Sequence, residues 1–195
     1  MDYTILINKQ NSLPSDYVPD NLVEYPEYNG VKIDSTVKTL IVEHVLYEFY
    51  KMNEDAFKSG YYFILDSGYR SYAYQEKVLA KNICEKGEEA YSYVALPGTS
   101  EHQSGLAIDV ALKRNGEYTD QFDDSCDEIK WLHENCYKYG FILRYPKGKK
   151  DITGFNYECW HIRYVGLELS TYMHDNSIET LEEYYSLGKK IPLKK

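Results

Sequence analysis

Gly105-Leu106-Ala107-Ile108-Asp109-Val110-Ala111-Leu112 sets one carboxylate inside an otherwise apolar run that a glycine precedes. A short apolar run bounded in this way reads as a buried strand, here Leu106 to Leu112. Gly105 supplies a sharp turn at its entrance because glycine tolerates positive φ. An unpaired charge in such a strand is costly to bury. A bound cation would remove that cost at Asp109, so the same stretch predicts a strand and a site upon it.

Outward from this strand, Tyr61-Tyr62-Phe63-Ile64-Leu65 is aromatic and branched and ends at Ser67-Gly68, which predicts a second buried strand and a turn, with Arg70 just beyond. Phe141 to Tyr145 and Tyr157 to Val165 are two further strand candidates. Behind the cap-type residues Asp34-Ser35-Thr36, the four-residue spacing of Val37, Ile41, Val45 and Phe49 predicts an amphipathic helix running to about Met52. A second helix starts at Ser71, carries Tyr74, Val78, Leu79 and Ile83 on one face, and stops at Gly87. Residues 125–139 carry a third through Ile129, Leu132 and Cys136, ending at Gly140, and Ser177 to Leu187 a last one. Strands and helices mix without regular βαβ alternation, which favours a single α+β domain with a mainly antiparallel sheet flanked by helices. Residues 11–30 hold Pro14, Pro19, Pro26 and Gly30 and little periodicity. Residues 1–33 therefore read as an extended N-terminal arm of that domain, and residues 34–195 as its body.

The 195 residues, 43% hydrophobic, suffice for one sizeable core. A net charge of -9 argues against an electrostatic grip on nucleic acid or anionic lipid, so a small or neutral partner is expected. No apolar run approaches the roughly 18 residues of a membrane span. The N-terminus lacks a basic segment followed by an apolar stretch, so a cytoplasmic location is expected, or export if a signal or anchor has been lost. Cys84, Cys126, Cys136 and Cys159 form no Cys-x-x-Cys pair and read as free thiols. The 22 tyrosines fit a core rim with hydroxyls in water, or stacking on sugars.

Ser100-Glu101-His102 leads into the Asp109 strand, and Glu158-Cys159-Trp160-His161 lies far downstream. Catalytic zinc takes three protein ligands from imidazole and carboxylate and leaves a fourth position to water. His102, Asp109 and His161 would supply those three. Singly, each also reads as an ordinary loop histidine, turn carboxylate or strand histidine. Glu101, next to a ligand, reads as a solvated loop charge or as a partner of the ligands. His44, His133 and His174 read as structural, Cys159 as a small buried residue, and Trp160 as a core residue or a substrate-stacking one.

Ser67-Gly68-Tyr69-Arg70-Ser71, then Pro97 to Asp109, then Glu158-Cys159-Trp160-His161 occur in this order. Together they closely resemble the D-alanyl-D-alanine metallopeptidases, the VanY, VanX and VanXY group. The resemblance takes in Arg144 to Lys149, Asp151 to Gly154 and the opening Ile7-Asn8-Lys9, and so spans Ile7 to Gly166. It implies a peptidase with one zinc ion per chain on the sheet, held by His102, Asp109 and His161. Glu158 matches the catalytic base and Arg70 the arginine that steadies the scissile carbonyl, while Gln75 and Ser100 match contacts to the dipeptide end of the substrate. Cys159 stands where many relatives have proline, which implies a less rigid backbone there.

Zinc lowers the pKa of a bound water to about 7, and a base that serves it must stay off the metal. Residues three apart in a regular strand face opposite ways, yet Glu158 and His161 must share a site. An irregular backbone near Cys159-Trp160 is therefore predicted. The implied substrate is a peptidoglycan stem peptide ending in D-Ala-D-Ala, or the free dipeptide. Three alternatives are an L,D-carboxypeptidase trimming tetrapeptide stems, a non-catalytic module that binds cell-wall peptide around a structural zinc, and a metal-free sugar-binding protein built on the tyrosines.

Overall fold

A computed structural model of the chain describes residues 1–25 and 39–188. Its main sheet is antiparallel throughout, in the order β3 (Phe63–Ser67), β4 (Ala107–Arg114), β7 (His161–Tyr164), β6 (Phe141–Leu143), with β5 (Glu117–Thr119) also paired to β4. The apolar run containing Asp109 forms β4, which lies between β3 and β7; Ile108, Ala111 and Leu112 are wholly buried. Ala107 pairs with Arg163 and Asp109 with His161 across β4 and β7. On the other side Ser67 pairs with Asp109, past an irregularity in β3 after Leu65. The sheet register itself thus brings two distant parts of the sequence to one place.

Helices flank the sheet: α1 (Glu43–Lys58), α2 (Tyr72–Lys86), α3 (Asp127–Asn135), the single turn α4 (Lys150–Thr153), α5 (Leu167–Asp175) and α6 (Leu181–Ser186). Val45, Phe49 and Met52 of α1 pack with Phe63, Leu65, Ile129 and Leu132 in the main core. Asn53, also buried, bonds both ways to the Phe63 backbone, at 2.6 and 2.9 Å, and so stands in for a neighbouring strand at the start of β3.

The first helix begins later than its periodicity predicts. Leu40-Ile41-Val42 forms β2, paired antiparallel with β1 (Leu22–Glu24), and α1 runs from Glu43 to Lys58. Ile41 is four residues from Val45 and mimics a helical face, but two of the three β2 residues are β-branched and find a partner strand. The Asp34-Ser35-Thr36 cap and Val37 lie outside the described residues. The N-terminal arm is not featureless either, since it contributes β1 and buries Ile7 and Leu13. Ser71 caps α2 by accepting from the Tyr74 amide, and Gly87 ends it. Its apolar face is less covered than expected: Tyr74 is exposed and Gln75 is the fully buried residue. The strand predicted over 157–165 is regular only at His161–Tyr164, and α4, α5 and β5 had no clear periodic signature. The last helix is confined to α6, closed at Thr180 by a reciprocal capping box with Glu183.

Candidate metal centre

A short 3-10 helix, Glu101–Ser104, delivers His102 to the end of β4 and stops at Gly105, whose φ of 67° is left-handed. A Cβ at Gly105 would lie 3.0 Å from Val42 and 3.2 Å from Leu22 and Pro19, so tight packing adds to the preference for glycine that the positive φ sets. His102, Asp109 and His161 converge with their ligand-type atoms all within 4.8 Å of one another. Glu158 precedes a turn at Cys159-Trp160 rather than sitting in the strand, and the Trp160 carbonyl accepts from the Val110 amide at 3.0 Å. This is the irregular backbone that places Glu158 Oε2 3.8 Å from His161 Nδ1, on the same side as the ligands.

Proton positions follow from the hydrogen bonds. His102 Nδ1 lies 2.6 Å from the Gly68 carbonyl, which only accepts, so Nδ1 carries the proton. Nε2 is then a lone pair, 3.1 Å from Asp109 Oδ2 and without a hydrogen-bond partner among the described residues. Two electron-rich atoms facing each other at this distance call for a cation between them. Burial and the nearby Arg70 guanidinium push the His102 pKa down to about 4, against the pull of Asp109, so the ring is neutral as a ligand must be. His161 Nδ1 is 2.8 Å from Asp109 Oδ1. Burial works to lower its pKa, but Asp109 and Glu101 outweigh this and push it up to about 9, so Nδ1 carries a proton toward Asp109 that a bound cation would displace. Donor atoms in a tetrahedral zinc site lie about 3.4 Å apart given zinc–ligand distances near 2.1 Å. Two nitrogens and a carboxylate gathered within 4.8 Å are a donor set that zinc takes.

Glu158 is largely buried, and burial, only partly offset by His161, pushes its pKa up to about 7. Arg70 donates from Nη1 to Gln75 Oε1 at 3.2 Å and from Nη2 to Asp109 Oδ2 at 3.1 Å. Gln75 is committed at its other end too, giving Nε2 to the Ala95 carbonyl at 2.9 Å. Its amide therefore fixes Arg70 in the cavity wall, which Gln75 also lines. Ser100 is buried and lines the same cavity, of about 210 Å³, along with Arg70, Glu158, Tyr93 and Phe155.

Glu101 is no solvated loop charge. Its side chain is completely buried, with Oε1 2.7 Å from Arg144 Nε and 2.6 Å from Arg163 Nη1. Burial would raise its pKa, but the two guanidiniums hold the carboxyl far below the usual range. Arg163 carries no motif, but a charge inside the strand His161-Ile162-Arg163-Tyr164 is the same signal that singles out Asp109. Trp160, expected in the core, is 39% exposed at the cavity rim because the turn at 159–160 carries it outward. Cys159 is buried as expected. His44 bonds the Tyr164 hydroxyl, His133 the Cys159 carbonyl, and His174 stacks on Tyr137.

Residues 38–167 match the family model described as VanY: D-alanyl-D-alanine carboxypeptidase. The chain belongs to the VanY family. A D-alanyl-D-alanine carboxypeptidase of Enterococcus faecalis is 36% identical over 197 residues, an alignment covering 95% of this chain and 66% of that protein. The solved structure of LdcB, an LD-carboxypeptidase, superposes with a TM-score of 0.84 at 41% identity, covering 95% of this chain and 86% of the other. A VanY D,D-pentapeptidase variant from a VanB-type resistance cassette, in complex with Zn(II), superposes with a TM-score of 0.78 at 31% identity, covering 95% and 99%. This VanY-family chain is thus an enzyme of the carboxypeptidase type, and among its described residues no helix is long and apolar enough to cross a membrane.

Proposed function

We propose that the chain is a zinc-dependent peptidase that removes the terminal D-alanine of peptidoglycan stem peptides, cutting the D-Ala-D-Ala bond of precursors or of the free dipeptide. The observation that carries this reading is the placement of Glu158, a largely buried carboxyl 3.8 Å from His161 Nδ1, beside the three ligands and not one of them. Zinc bound by His102, Asp109 and His161 supplies the Lewis acidity that makes water nucleophilic near neutral pH. Glu158 takes the proton of that water and returns it to the leaving amine, a task suited to a pKa near the working pH. Arg70, fixed by Gln75 and Asp109, presents a guanidinium to the carbonyl oxygen as it becomes negative. A cavity of about 210 Å³ is below the roughly 300–1,000 Å³ of drug-sized ligand sites. That volume suits a small group such as a terminal alanine. The Zn(II) complex of the VanY neighbour supports the metal.

A second reading, L,D-cleavage of tetrapeptide stems, is favoured by the likeness to LdcB. Release of D-alanine from pentapeptide, tetrapeptide and free dipeptide, measured before and after zinc chelation, separates the two. Release from the tetrapeptide alone rejects D,D-cleavage, and release that persists after complete zinc removal rejects the metal. Glu158→Gln is expected to keep zinc and lose turnover.

A further inference from the structure

We infer that Glu101 is a positioning residue for His161, accepting a hydrogen bond from Nε2 and so presenting Nδ1 to the metal. The inference rests on the zinc reading above and adds which ring nitrogen serves it and what holds the ring. His161 Nδ1 faces the site, 2.8 Å from Asp109 Oδ1 and 3.8 Å from Glu158 Oε2. Nε2 points away, toward Glu101 Oε2 at 3.6 Å. Both of these atoms are buried and lack a hydrogen-bond partner among the described residues, so a small approach gives each the bond it lacks. Metal-binding histidines characteristically donate their second N–H to such a carboxylate.

Glu101 can serve only in this way. One of its oxygens is held by two guanidiniums, its side chain is sealed from the cavity solvent, and the remaining oxygen looks at the ring. The arginines are held in turn by the N-terminal arm: Arg163 Nη2 donates to the Tyr3 and Ile5 carbonyls, and Arg144 Nη2 to the Ile7 carbonyl. Alternate carbonyls of one N-terminal segment thus clamp the pair that clamps Glu101. Arg144 is also tied to Glu182 of α6 at 2.8 and 2.9 Å.

Nitrogen-15 NMR of the histidine rings in the zinc-loaded parent tests this directly. His161 is expected to show a protonated Nε2 and a metal-bound Nδ1, and His102 the reverse. Zinc held through His161 Nε2 overturns this inference alone, whereas a protein that takes up no zinc overturns the functional reading and this one with it. Glu101→Asp keeps the charge between the arginines and withdraws the oxygen from the ring. Zinc affinity by chelator competition is expected to fall about 10–100-fold, with the Co(II)-substituted visible spectrum altered. An unchanged affinity in the folded variant overturns the inference, and if that variant does not fold the NMR of the parent decides.

Discussion

The Gly68 carbonyl accepts from His102 Nδ1 at 2.6 Å, and Gly68 is also a point at which the backbone has no space for a side chain. A Cβ there would come within 2.3 Å of the Leu40 carbonyl oxygen. That oxygen already accepts from the Tyr69 amide at 2.6 Å. Gly68→Ala must therefore push the turn after β3 off β2 and take the carbonyl from His102 with it. Zinc affinity is expected to fall about 10–100-fold through loss of the bond that fixes the ring, and stability by about 1–3 kcal/mol through overpacking. Chelator competition and urea unfolding measure the two. A variant with parental affinity would show that His102 is oriented by something else.

Arg144 is buried without exposure and divides its donors between Glu101, Glu182 and the Ile7 carbonyl. Arg144→Met removes one charge from a sealed network and leaves Glu182 without its guanidinium. Removing one partner of a buried ion pair typically costs about 3–5 kcal/mol, and a loss of that size is expected in urea unfolding of the metal-free protein. A change near zero would mean that water reaches the network.

The strands that carry the site were legible because their local pattern and their tertiary role agree. The run around Asp109 is apolar on both sides and becomes β4 at the middle of the sheet, and the conflict between Glu158 and His161 correctly demanded a turn between them. The start of α1 misled because Ile41, Val45 and Phe49 keep helical spacing across a strand-to-helix junction. That junction exists only because β1 is there to pair with β2, a contact no local window contains. Glu101 misled for a related reason. Beside a histidine in a polar loop it looks solvated, and its burial depends on two arginines 43 and 62 residues away. Charge inside an apolar strand is the same signal at Arg163 as at Asp109, and at both it marks a buried polar network.

Asp66, half-buried on β3, accepts from the Tyr118 hydroxyl at 2.8 Å. Burial raises its pKa, the Tyr118 bond opposes this, and the Asp109 charge adds to it. A carboxyl whose folded pKa is raised binds its proton more tightly in the folded state. The penalty on its charged form is complete above the folded pKa, and is relieved as pH falls through that pKa toward the unfolded value of 3.8. Asp66→Asn removes the penalty, so its stability relative to the parent is expected to be more favourable at pH 7 than at pH 4. Paired unfolding curves across that range check this. A difference that widens in acid would reverse the sign of the shift.

Arg70 reaches Gln75 with one terminal nitrogen and Asp109 with the other, so its plane is fixed by a fork that lysine lacks. Arg70→Lys keeps the charge and loses the fork, leaving a flexible ammonium able to reach one of the two partners at a time. If Arg70 serves the carbonyl oxygen as it becomes charged, the loss falls on the chemical step and not on substrate binding. A decrease in kcat of about 100–1,000-fold is expected for loss of such a preorganised donor, with KM nearly unchanged. Zinc should stay bound, because the three ligands are untouched. Equal loss in kcat and zinc content would instead make Arg70 a brace for Asp109, the carboxylate its guanidinium bonds. Gln75→Ala separates these outcomes further. It frees one end of the guanidinium without touching Asp109, and is expected to lower kcat by less than Arg70→Lys while leaving zinc affinity as it was.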